Sequence, residues 1–168
     1  MSDRFEDVFR TRYGEVYGLA RRVLGDRGEA EDAAQDAFAK LAGSAVLDRP
    51  DGEVAAWLRR VTINDCFNRV RGRRRARERV DRTARLEPLA EADGSGPLLA
   101  VLRSEEQAEV RAALAGLPER QRATLLLRHS GYRYAEIAQT LDIAIGSVGV
   151  LLARGERAFR TAYEENTG

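Results

Sequence analysis

Residues 117–160 read LPERQRATLLLRHSGYRYAEIAQTLDIAIGSVGVLLARGERAFR, and the apolar spacing within them predicts two short helices. Ile137 and Leu141 stand four residues apart, as on one face of a helix, and a four-residue break follows. A second series at helical spacing then consists of Val148, Leu152, Gly155 and Phe159. Helices that cross at a tight turn need a small residue where they touch, and Ala138 is placed to be that residue. The pattern favours a helix-turn-helix, although an ordinary pair of packed helices has the same spacing.

The composition allows a real core and gives the chain little charge as a whole. Of the 168 residues, 43% are hydrophobic and the formal net charge is +1, which suits one domain or two small ones. The charge is unevenly distributed, because residues 69–85, RVRGRRRARERVDRTAR, carry nine arginines and two acids. Such a run is typical of a surface for an anionic partner or of a solvated basic tail.

The chain has one cysteine, Cys66, and one histidine, His129. A single cysteine excludes an internal disulfide and a cysteine-rich metal site, and we interpret the two residues as a packed thiol and a helix-surface imidazole. No apolar run approaches the roughly 20 residues that a membrane span requires, and the N-terminus is unlike a signal peptide. We therefore expect a cytoplasmic protein with no metal, no cofactor, no small-molecule substrate and no membrane insertion.

The first half of the chain predicts three helices. The first runs from about residue 4 to residue 24 and ends at Gly25, after which Asp26 and Glu29 offer a capping box for the second. The second helix has a small apolar face formed by Ala30, Ala33, Ala34, Ala37, Phe38 and Leu41. A break rich in turn formers, 43–52, separates it from a third helix. The third helix begins near Glu53 and continues into the arginine run.

The third helix changes character along its length. Its apolar face consists of Val54, Trp57, Leu58 and Val61. Beyond that, Asn64, Asp65, Asn68 and Arg69 interrupt the stripe. Arginines neutralise phosphates, amides meet base edges and aromatic faces stack on bases, so this stretch suits single-stranded or melted nucleic acid. Trp57 itself lies on the apolar stripe, which favours a place in the core over a stacking role.

The second half begins with a change of composition. Residues 82–103 contain Pro88, an acidic middle and DGSGP at 93–97, which predicts a flexible linker. Ser104 is the expected cap of the next helix, and another helix follows Pro118 and ends before the helix-turn-helix. No strand pattern occurs. The predicted fold is therefore all-α, with two small helical domains, residues 1–81 and 104–168, joined by the linker; the second contains the helix-turn-helix.

The motifs, in this order, resemble bacterial RNA polymerase sigma factors of the extracytoplasmic-function group of the sigma-70 family. Residues 22–38, RVLGDRGEAEDAAQDAF, and 57–64, WLRRVTIN, are similar to the first domain of that family, as is the arginine-rich end. LPERQR at 117–122, YAEIA at 134–138 and GSV at 146–148 are similar to the second. Helix-turn-helix segments of this kind also occur in response regulators, but the whole set covers nearly the entire chain.

The resemblance implies a factor that binds core RNA polymerase and promoter DNA, recognises the −10 and −35 elements and has an anti-sigma partner. For polymerase binding it implies Asp32, Gln35, Asp36 and Phe38. For the downstream (−10) element it implies Trp57, Arg60, Asn64, Asn68, Arg69 and Arg71. For the upstream (−35) element it implies Gly146, Ser147, Gly149, Val150, Ala153, Arg154 and Arg157. The polymerase does the chemistry, so no catalytic residue is expected.

Several positions depart from the family pattern, among them Asn68, which stands where an aspartate is common in relatives. Arg133 stands where many relatives carry a capping serine, and Asp142 replaces the turn glycine. The outward face of the second helix, with Gly149, Val150 and Ala153, is poor in hydrogen-bond donors. We therefore expect upstream recognition through backbone N–H groups, thymine methyls and groove shape. The alternative is that the first domain or an inhibitory partner covers this apolar patch.

Two other classes of function stay open at this stage. The chain could be a sigma-like DNA-binding regulator that does not engage core polymerase, or an adaptor whose helices bind another regulator. The arginine run argues against an adaptor. An enzyme is least supported, because the sequence offers no paired carboxylates, nucleophile with a base, or phosphate-binding loop.

Overall fold

The computed structural model describes residues 2–81 and 97–168, with side chains described for 3–80 and 106–168. These residues form seven α-helices and one short 3-10 helix, with no strand among them. The α-helices are α1 Ser2–Leu24, α2 Arg27–Ala42, α3 Asp51–Asp81, α4 Pro97–Ala115, α5 Glu119–His129, α6 Tyr134–Leu141 and α7 Ile145–Thr167. The predicted all-α fold is confirmed. No single helix in these ranges is long and apolar enough to cross a bilayer.

Helices α1, α2 and α3 form the first domain. α1 ends at Gly25, whose φ of 73° favours glycine. Asp26 Oδ1 then accepts a hydrogen bond of 3.0 Å from Glu29 N–H at the start of α2, as predicted. The Glu29 carboxylate pairs with Arg73 of α3 instead of completing the capping box. The six residues predicted for the apolar face of α2 are all buried, so its alanines allow α1 and α3 to approach closely.

The break between α2 and α3 contains a 3-10 helix, Ala45–Asp48, that the sequence did not predict. Ser44 Oγ caps it by accepting a backbone N–H, and Leu47 is buried in the core of the first domain. Arg4 of α1 fixes the segment because its guanidinium donates to the carbonyl oxygens of Leu47 and Arg49. The turn formers therefore build a fixed loop beside the start of α3.

α3 runs without a break from Asp51 to Asp81, so the apolar stretch and the arginine run belong to one helix of 31 residues. Beyond Val61, where the sequence pattern is irregular, Ile63, Cys66 and Phe67 are buried. The reason is that α3 contacts α1 and α2 on one side and the second domain on another. Two apolar stripes overlap on the helix, which hides the period of each.

The predicted linker lies largely outside the described residues, since 82–96 are not described, and this includes its acidic middle. α4 begins at Pro97, earlier than predicted. Proline suits the first turn of a helix because it has no N–H to leave unpaired there. Ser104 therefore lies inside α4, and the prediction that it caps this helix is wrong.

The second domain contains the predicted helix-turn-helix. α6 and α7 meet at 94° across the break between them, as is usual for the motif. Ala138 is buried, as expected for the crossing point. Asp142 takes the left-handed backbone conformation, φ 55° and ψ 52°, that ends α6. Aspartate tolerates these angles better than most residues, so the replacement of the turn glycine is accommodated.

Arg133 precedes α6 and forms no side-chain cap there, because a guanidinium has no acceptor. The Glu136 carboxylate instead accepts a hydrogen bond of 3.0 Å from the Arg133 backbone N–H. This interaction is one half of a capping box. It partly offsets the roughly 1 kcal/mol that the missing serine would contribute.

The two domains share a buried core. Leu19 of α1 and Ile63 and Phe67 of α3 lie in one cluster with apolar residues of the second domain. Those partners include Leu117, Ala123, Leu125, Leu127, Ile137, Val148 and Leu152. The Arg122 guanidinium stacks on the Phe67 ring, 4.3 Å from its centroid. The described residues thus form a closed arrangement in which the second domain lies on α1 and α3.

Candidate nucleic-acid interface

A row of polar side chains lies on the solvent face of α3. Asn64, Asn68 and Arg71 stand at helical spacing and are exposed. Asn68 Oδ1 accepts a hydrogen bond from Arg71. Amide groups can meet base edges while a guanidinium meets a phosphate, so the row combines the two kinds of contact that DNA recognition uses. The structure brings these three predicted downstream residues together on one face.

Trp57 precedes this row and has two environments. It is half-buried and packs against the core cluster of the first domain, as the sequence favoured. It also lines a cavity of about 320 Å³ together with Arg49, Arg60 and, from α6, Gln139. Part of the indole is therefore accessible from a space that two arginines also border.

Arg60 is directed at the second domain. Its Nε donates to the Thr140 carbonyl oxygen at 2.7 Å, and its Nη2 donates to the Gln139 carbonyl oxygen at 3.0 Å. Both carbonyls belong to the last turn of α6, where they have no partner within the helix. A cation at a helix C-terminus is also favourable electrostatically. In this arrangement the end of α6 binds the guanidinium of Arg60, which is predicted to contact downstream DNA.

Arg69 is held by two carboxylates. Its Nε donates to Asp65 at 2.8 Å within α3, and its Nη2 donates to Asp36 of α2 at 2.5 Å. Burial opposes its charge, but the hydrogen bond and charge of Asp65 and the charge of Asp36 outweigh burial and raise the pKa of Arg69. Arg69 therefore links the predicted downstream face to the predicted polymerase face.

The basic end of α3 divides into paired and exposed arginines. Arg71 forms an ion pair with Glu119 of α5, and Arg73 forms one with Glu29 of α2. Arg74 pairs with Glu78 at 3.8 Å within α3, and Arg74, Arg75 and Arg77 are exposed. Part of the run thus serves contacts within the chain, and the remainder keeps positive charge on the surface for an anionic partner.

The polar face predicted for polymerase lies on α2. Asp32, Gln35 and Asp36 are exposed there. Phe38 is not, because it is 2% exposed and its ring makes an edge contact with Phe9, 4.9 Å between centroids. The prediction that Phe38 contacts polymerase directly is therefore corrected. The helical period puts it on the alanine face, where it packs in the core behind the polar face.

The predicted upstream face lies on α7. Its exposed members are Gly146, Val150, Ala153, Arg154 and Arg157, while Ser147 and Gly149 are half-buried. Val150 is 50% exposed. The first domain does not cover the apolar patch in this arrangement, because it contacts the last turn of α6 and the start of α5 instead. Coverage by the first domain is therefore wrong for the closed chain, and coverage by an inhibitory partner stays a prediction.

Two further exposed apolar side chains adjoin the predicted upstream face, and neither was predicted from the sequence. Tyr134 of α6 lies beside Gly149, where a Cβ atom would stand 3.9 Å from the Tyr134 ring. Ile145 begins α7 and is 58% exposed. In a sequence, an apolar residue at the start of a helix cannot be told from one that is buried in the core. Only the crossing of α6 and α7 leaves these two on the surface.

A buried polar network joins the domains. Arg59 of α3 is 5% exposed, and its Nε donates to Glu15 Oε1 at 2.7 Å while its Nη1 donates to Thr140 Oγ1 at 3.2 Å. Tyr132 Oη donates to the same Glu15 oxygen at 2.6 Å. The Arg59 guanidinium also lies over the Tyr132 ring, 4.6 Å from its centroid. The sequence does not predict this network, since its members come from distant segments and no local pattern connects them.

The network fixes the protonation of its members. Burial acts to raise the pKa of Glu15, but hydrogen bonds from Arg59 and Tyr132 and the Arg59 charge outweigh it and lower that pKa. Burial, followed by the hydrogen bond to Glu15, raises the pKa of Tyr132. At neutral pH the interface therefore contains an ionised carboxylate, a guanidinium and a neutral phenol.

Cys66 and His129 lie apart from these faces. Burial raises the pKa of the Cys66 thiol to about 12, so the thiol stays protonated at neutral pH. His129 is exposed at the end of α5. Across the part of the chain that the structure describes, no group of three or more His, Cys, Asp or Glu side chains could hold a metal ion.

The two domains each match a known family region. Residues 8–76 match Sigma-70 region 2, and residues 107–159 match Sigma-70, region 4. The chain is 32% identical to the ECF RNA polymerase sigma factor SigM of Mycobacterium tuberculosis, over 98% of this chain and 80% of SigM. The chain belongs to the extracytoplasmic-function group of the sigma-70 family. Sigma factors of this family bind core RNA polymerase and direct promoter-specific transcription initiation.

Other sigma factors have comparable similarity. The chain is 32% identical to the RNA polymerase sigma-H factor of Pseudomonas aeruginosa, over 89% of this chain and 81% of that protein. It is 28% identical to the ECF sigma factor SigW of Bacillus subtilis, over 94% of this chain and 88% of SigW. This sigma factor therefore aligns with its relatives across both domains.

Two solved structures share the fold. One is the sigma factor RpoE in complex with the anti-sigma factor NepR from Bartonella quintana, with a TM-score of 0.63, 21% identity and 98% of each chain covered. The other is CnrH in complex with the cytosolic domain of CnrY, with a TM-score of 0.58, 21% identity, and 96% of this chain and 88% of CnrH covered. The predicted all-α fold of two domains is thereby confirmed for this sigma factor.

Proposed function

We propose that this sigma factor recognises the downstream promoter element with α3 and the upstream element with α7, while α2 binds core polymerase. The observation that carries the proposal is the exposed row Asn64, Asn68 and Arg71 on α3. The row lies in the same domain as the exposed polar face of α2, with Arg69 connecting the two faces through Asp36. One small domain thus has separate surfaces for the polymerase and for DNA.

At the downstream element, the contacts suit DNA whose strands have separated. The Asn64 and Asn68 amides have donors and acceptors for base edges, and Arg71 with the other exposed arginines neutralises phosphates. Trp57 offers a partly accessible aromatic face for stacking, which contributes about 1–3 kcal/mol per base in comparable proteins. These groups favour the melted strand because bases in a duplex are already stacked and paired.

At the upstream element, α7 enters the major groove with few hydrogen-bonding side chains. The backbone N–H group of Gly146 and the positive end of the helix face phosphate. Val150 and Ala153 contact thymine methyl groups, and Arg154 contacts the backbone. Base discrimination here comes mainly from apolar contact and groove shape.

At the polymerase, the α2 face supplies the contacts of the first domain. Asp32 and Asp36 give it negative charge, and Gln35 between them adds an amide that both donates and accepts. A complementary positive surface on the polymerase would be steered toward this face. Phe38 supports the face from the core and does not touch the partner.

The proposal includes an inhibitory protein partner and a cytoplasmic location. The RpoE relative was solved with an anti-sigma factor, and the exposed Tyr134, Ile145 and Val150 of this chain offer apolar area for such a partner when DNA is absent. The chain works where the polymerase works, in the cytoplasm. It catalyses no reaction itself, because the polymerase does the chemistry and the sigma factor supplies binding energy and specificity.

The test is reconstitution. Core polymerase from the source organism is incubated with this chain and fragmented genomic DNA of the same source, and the 5′ ends of the transcripts are sequenced. We expect the start sites to lie downstream of a shared two-element sequence, and a variant with Asn64→Ala and Asn68→Ala to bind polymerase but lose these starts. Salt-dependent binding to DNA without polymerase binding or initiation would instead identify a sigma-like regulator. A chain that binds neither DNA nor polymerase would be an adaptor.

A further inference from the structure

We propose that Arg4, near the start of α1, is a positioning residue for recognition of the downstream promoter element. Its guanidinium holds the end of the loop between α2 and α3, and so sets where that loop lies beside Trp57. The inference rests on the proposed function, which assigns Trp57 and the adjoining face of α3 to downstream DNA. Arg4 itself precedes the residues that match Sigma-70 region 2, which begin at residue 8.

The first observation is that one guanidinium binds three points of the chain at the end of the loop. Arg4 Nε donates to the Leu47 carbonyl oxygen at 3.0 Å, and its Nη2 donates to the Arg49 carbonyl oxygen at 2.6 Å. Its Nη1 lies 3.0 Å from Oδ1 of Asp51, the first residue of α3. A guanidinium presents its donors in a rigid planar fork. The end of the 3-10 helix and the start of α3 are therefore held at a set distance from α1.

The second observation concerns the other bonds of this loop. Ser44 Oγ caps the start of the 3-10 helix, and the Arg49 N–H donates to the Val46 carbonyl oxygen. Both of these bonds lie within the loop. The Leu47 side chain packs in the core of the first domain. Arg4 supplies the hydrogen bonds by which the loop carbonyls are tied to another helix, so it fixes the orientation that the buried leucine alone leaves open.

The third observation is what the held loop carries. Val46 and Arg49 line the cavity of about 320 Å³ that Trp57 and Arg60 also line. Arg4 binds the Arg49 carbonyl itself, so a change at Arg4 shifts this backbone relative to the indole. Groups that discriminate between ligands must be held within about 0.5 Å of their working geometry. The position of an apolar group and a positive charge beside Trp57 thus depends on a residue of α1.

The contacts of Arg4 suit positioning better than they suit stabilisation of the fold. The Arg4 side chain is 39% exposed and that of Asp51 is 76% exposed, and ion pairs this exposed contribute little to stability. Hydrogen bonds from a partly exposed guanidinium also replace bonds to water, which reduces their net contribution. Loss of Arg4 should therefore change the geometry of the loop more than the free energy of unfolding.

The position of the loop can be measured in the whole chain without DNA, because Trp57 is its single tryptophan. Arg4→Gln shortens the side chain and removes the planar fork. We expect the loop to move away from the indole, so that acrylamide quenches Trp57 fluorescence more strongly. Arg10→Gln is the matched control, since Arg10 is an exposed arginine of the same helix that bonds Asp7 within α1. It should leave the quenching unchanged.

The effect on recognition is measured with core polymerase and forked promoter probes that carry each of the four bases at each downstream position. For Arg4→Gln we expect the preference for the best base over the others to fall about tenfold at one position or more. Affinity for core polymerase and the salt dependence of DNA binding should stay the same, because Arg4 touches neither partner. Arg10→Gln should keep the preference of the unsubstituted chain.

Two further variants grade the effect. Asp51→Asn removes the ion pair but leaves both carbonyl contacts of Arg4, so it should lower the base preference less than Arg4→Gln does. Arg4→Lys retains the charge but cannot bind the three points at once, so it should restore only part of the preference. Should Arg4→Gln fail to fold, as judged by circular dichroism, these two variants provide the same comparison.

Equal weakening of all probes, or a base preference as strong as that of Arg10→Gln, would overturn the inference and make Arg4 a structural contact only. Unchanged quenching of Trp57 in Arg4→Gln would do the same, because the loop would then not depend on Arg4. Each of these results leaves the proposed function intact. Absence of any downstream base preference in the unsubstituted chain with core polymerase would instead overturn the proposed function, and this inference with it.

Discussion

The Tyr132 hydroxyl donates a hydrogen bond of 2.6 Å to Glu15 Oε1, although 117 positions separate the two residues. Glu15 lies in the first helix and Tyr132 lies just before the helix-turn-helix. Arg59 of α3 binds the same oxygen at 2.7 Å, so three distant segments meet at one carboxylate. The contact joins the two domains of this sigma factor in their closed arrangement.

Acid should loosen this closed arrangement. The pKa of Glu15 is lowered because the hydrogen bonds from Arg59, Tyr132 and Arg12 and the Arg59 charge outweigh the effect of burial. Its carboxylate therefore stabilises the closed form fully above the ordinary glutamate pKa, about 4.3. The stabilisation is lost as the pH falls through the lowered value. Energy transfer between dyes on the two domains should decrease below about pH 4.

Glu15→Gln is the matched control for this pH dependence. It keeps the size of the side chain but removes the charge, so energy transfer at neutral pH should already be lower than in the unsubstituted chain. It should then change little between neutral pH and the ordinary glutamate pKa. Identical titration curves for the two proteins would exclude Glu15 as the group responsible.

Gly155 should resist substitution because α7 lies very close to α5 there. A Cβ atom at this position would stand 3.2 Å from Leu125 Cδ1 and 3.4 Å from Gln121 O. We expect Gly155→Val to lower the free energy of unfolding by about 1–3 kcal/mol through overpacking, measured by urea denaturation. Gly149→Ala in the same helix meets nothing closer than 3.9 Å and should be neutral or stabilising. Equal losses in both variants would contradict the close approach.

Asp142, whose left-handed backbone angles end α6, gives two stability predictions of opposite sign. Asp142 has a φ of 55°, which glycine adopts freely and other residues adopt at a cost. Asp142→Gly should raise the free energy of unfolding by up to about 1 kcal/mol, and Asp142→Val should lower it by about 1–2 kcal/mol. Thermal unfolding monitored by circular dichroism would give both, and a stabilising valine would rule out this explanation.

The exposed patch on α7 should matter for the upstream element. Val150→Asp or Ala153→Asp introduces a negative charge against an anionic duplex and removes the methyl contact, so binding of upstream promoter DNA should weaken at least tenfold. Both positions are exposed, so stability should hardly change. Val150→Thr keeps one methyl group and should weaken binding less. If the aspartate variants bound upstream DNA normally, the patch would have to serve a protein partner instead.

On α3, removing an amide and removing an arginine should change DNA binding in different ways. Asn64→Ala should relax preference at one downstream base by about 1–3 kcal/mol and leave the salt dependence unchanged. Arg71→Ala should weaken all sequences alike and reduce the slope of log affinity against log salt by about one unit. Competition with single-base variants of the probe at several salt concentrations separates the two effects. A uniform loss for Asn64→Ala would indicate a phosphate contact.

Local patterns predicted the helix-turn-helix correctly. Ile137, Ala138 and Val148 lie where the spacing put them, since an amphipathic helix repeats within a few residues. The same holds for the apolar face of α2. Glu29 pairs with Arg73 instead of completing the predicted capping box, and two further local predictions failed. Phe38 was assigned by similarity to a polar face that its helical position does not share, and Ser104 was taken as a cap although the helix begins at Pro97.

The sequence by itself determined most of the helices and the division into two helical domains, because these depend on residues that are close along the chain. Only the tertiary structure decided what Arg59 and Arg60 do. The two arginines are adjacent and chemically identical, yet one is buried against Glu15 and the other binds the end of α6. Their partners lie more than forty residues away in one case and about eighty in the other. Such pairings depend on how the two domains dock, and docking is set by the apolar surface they bury together, which no local pattern specifies.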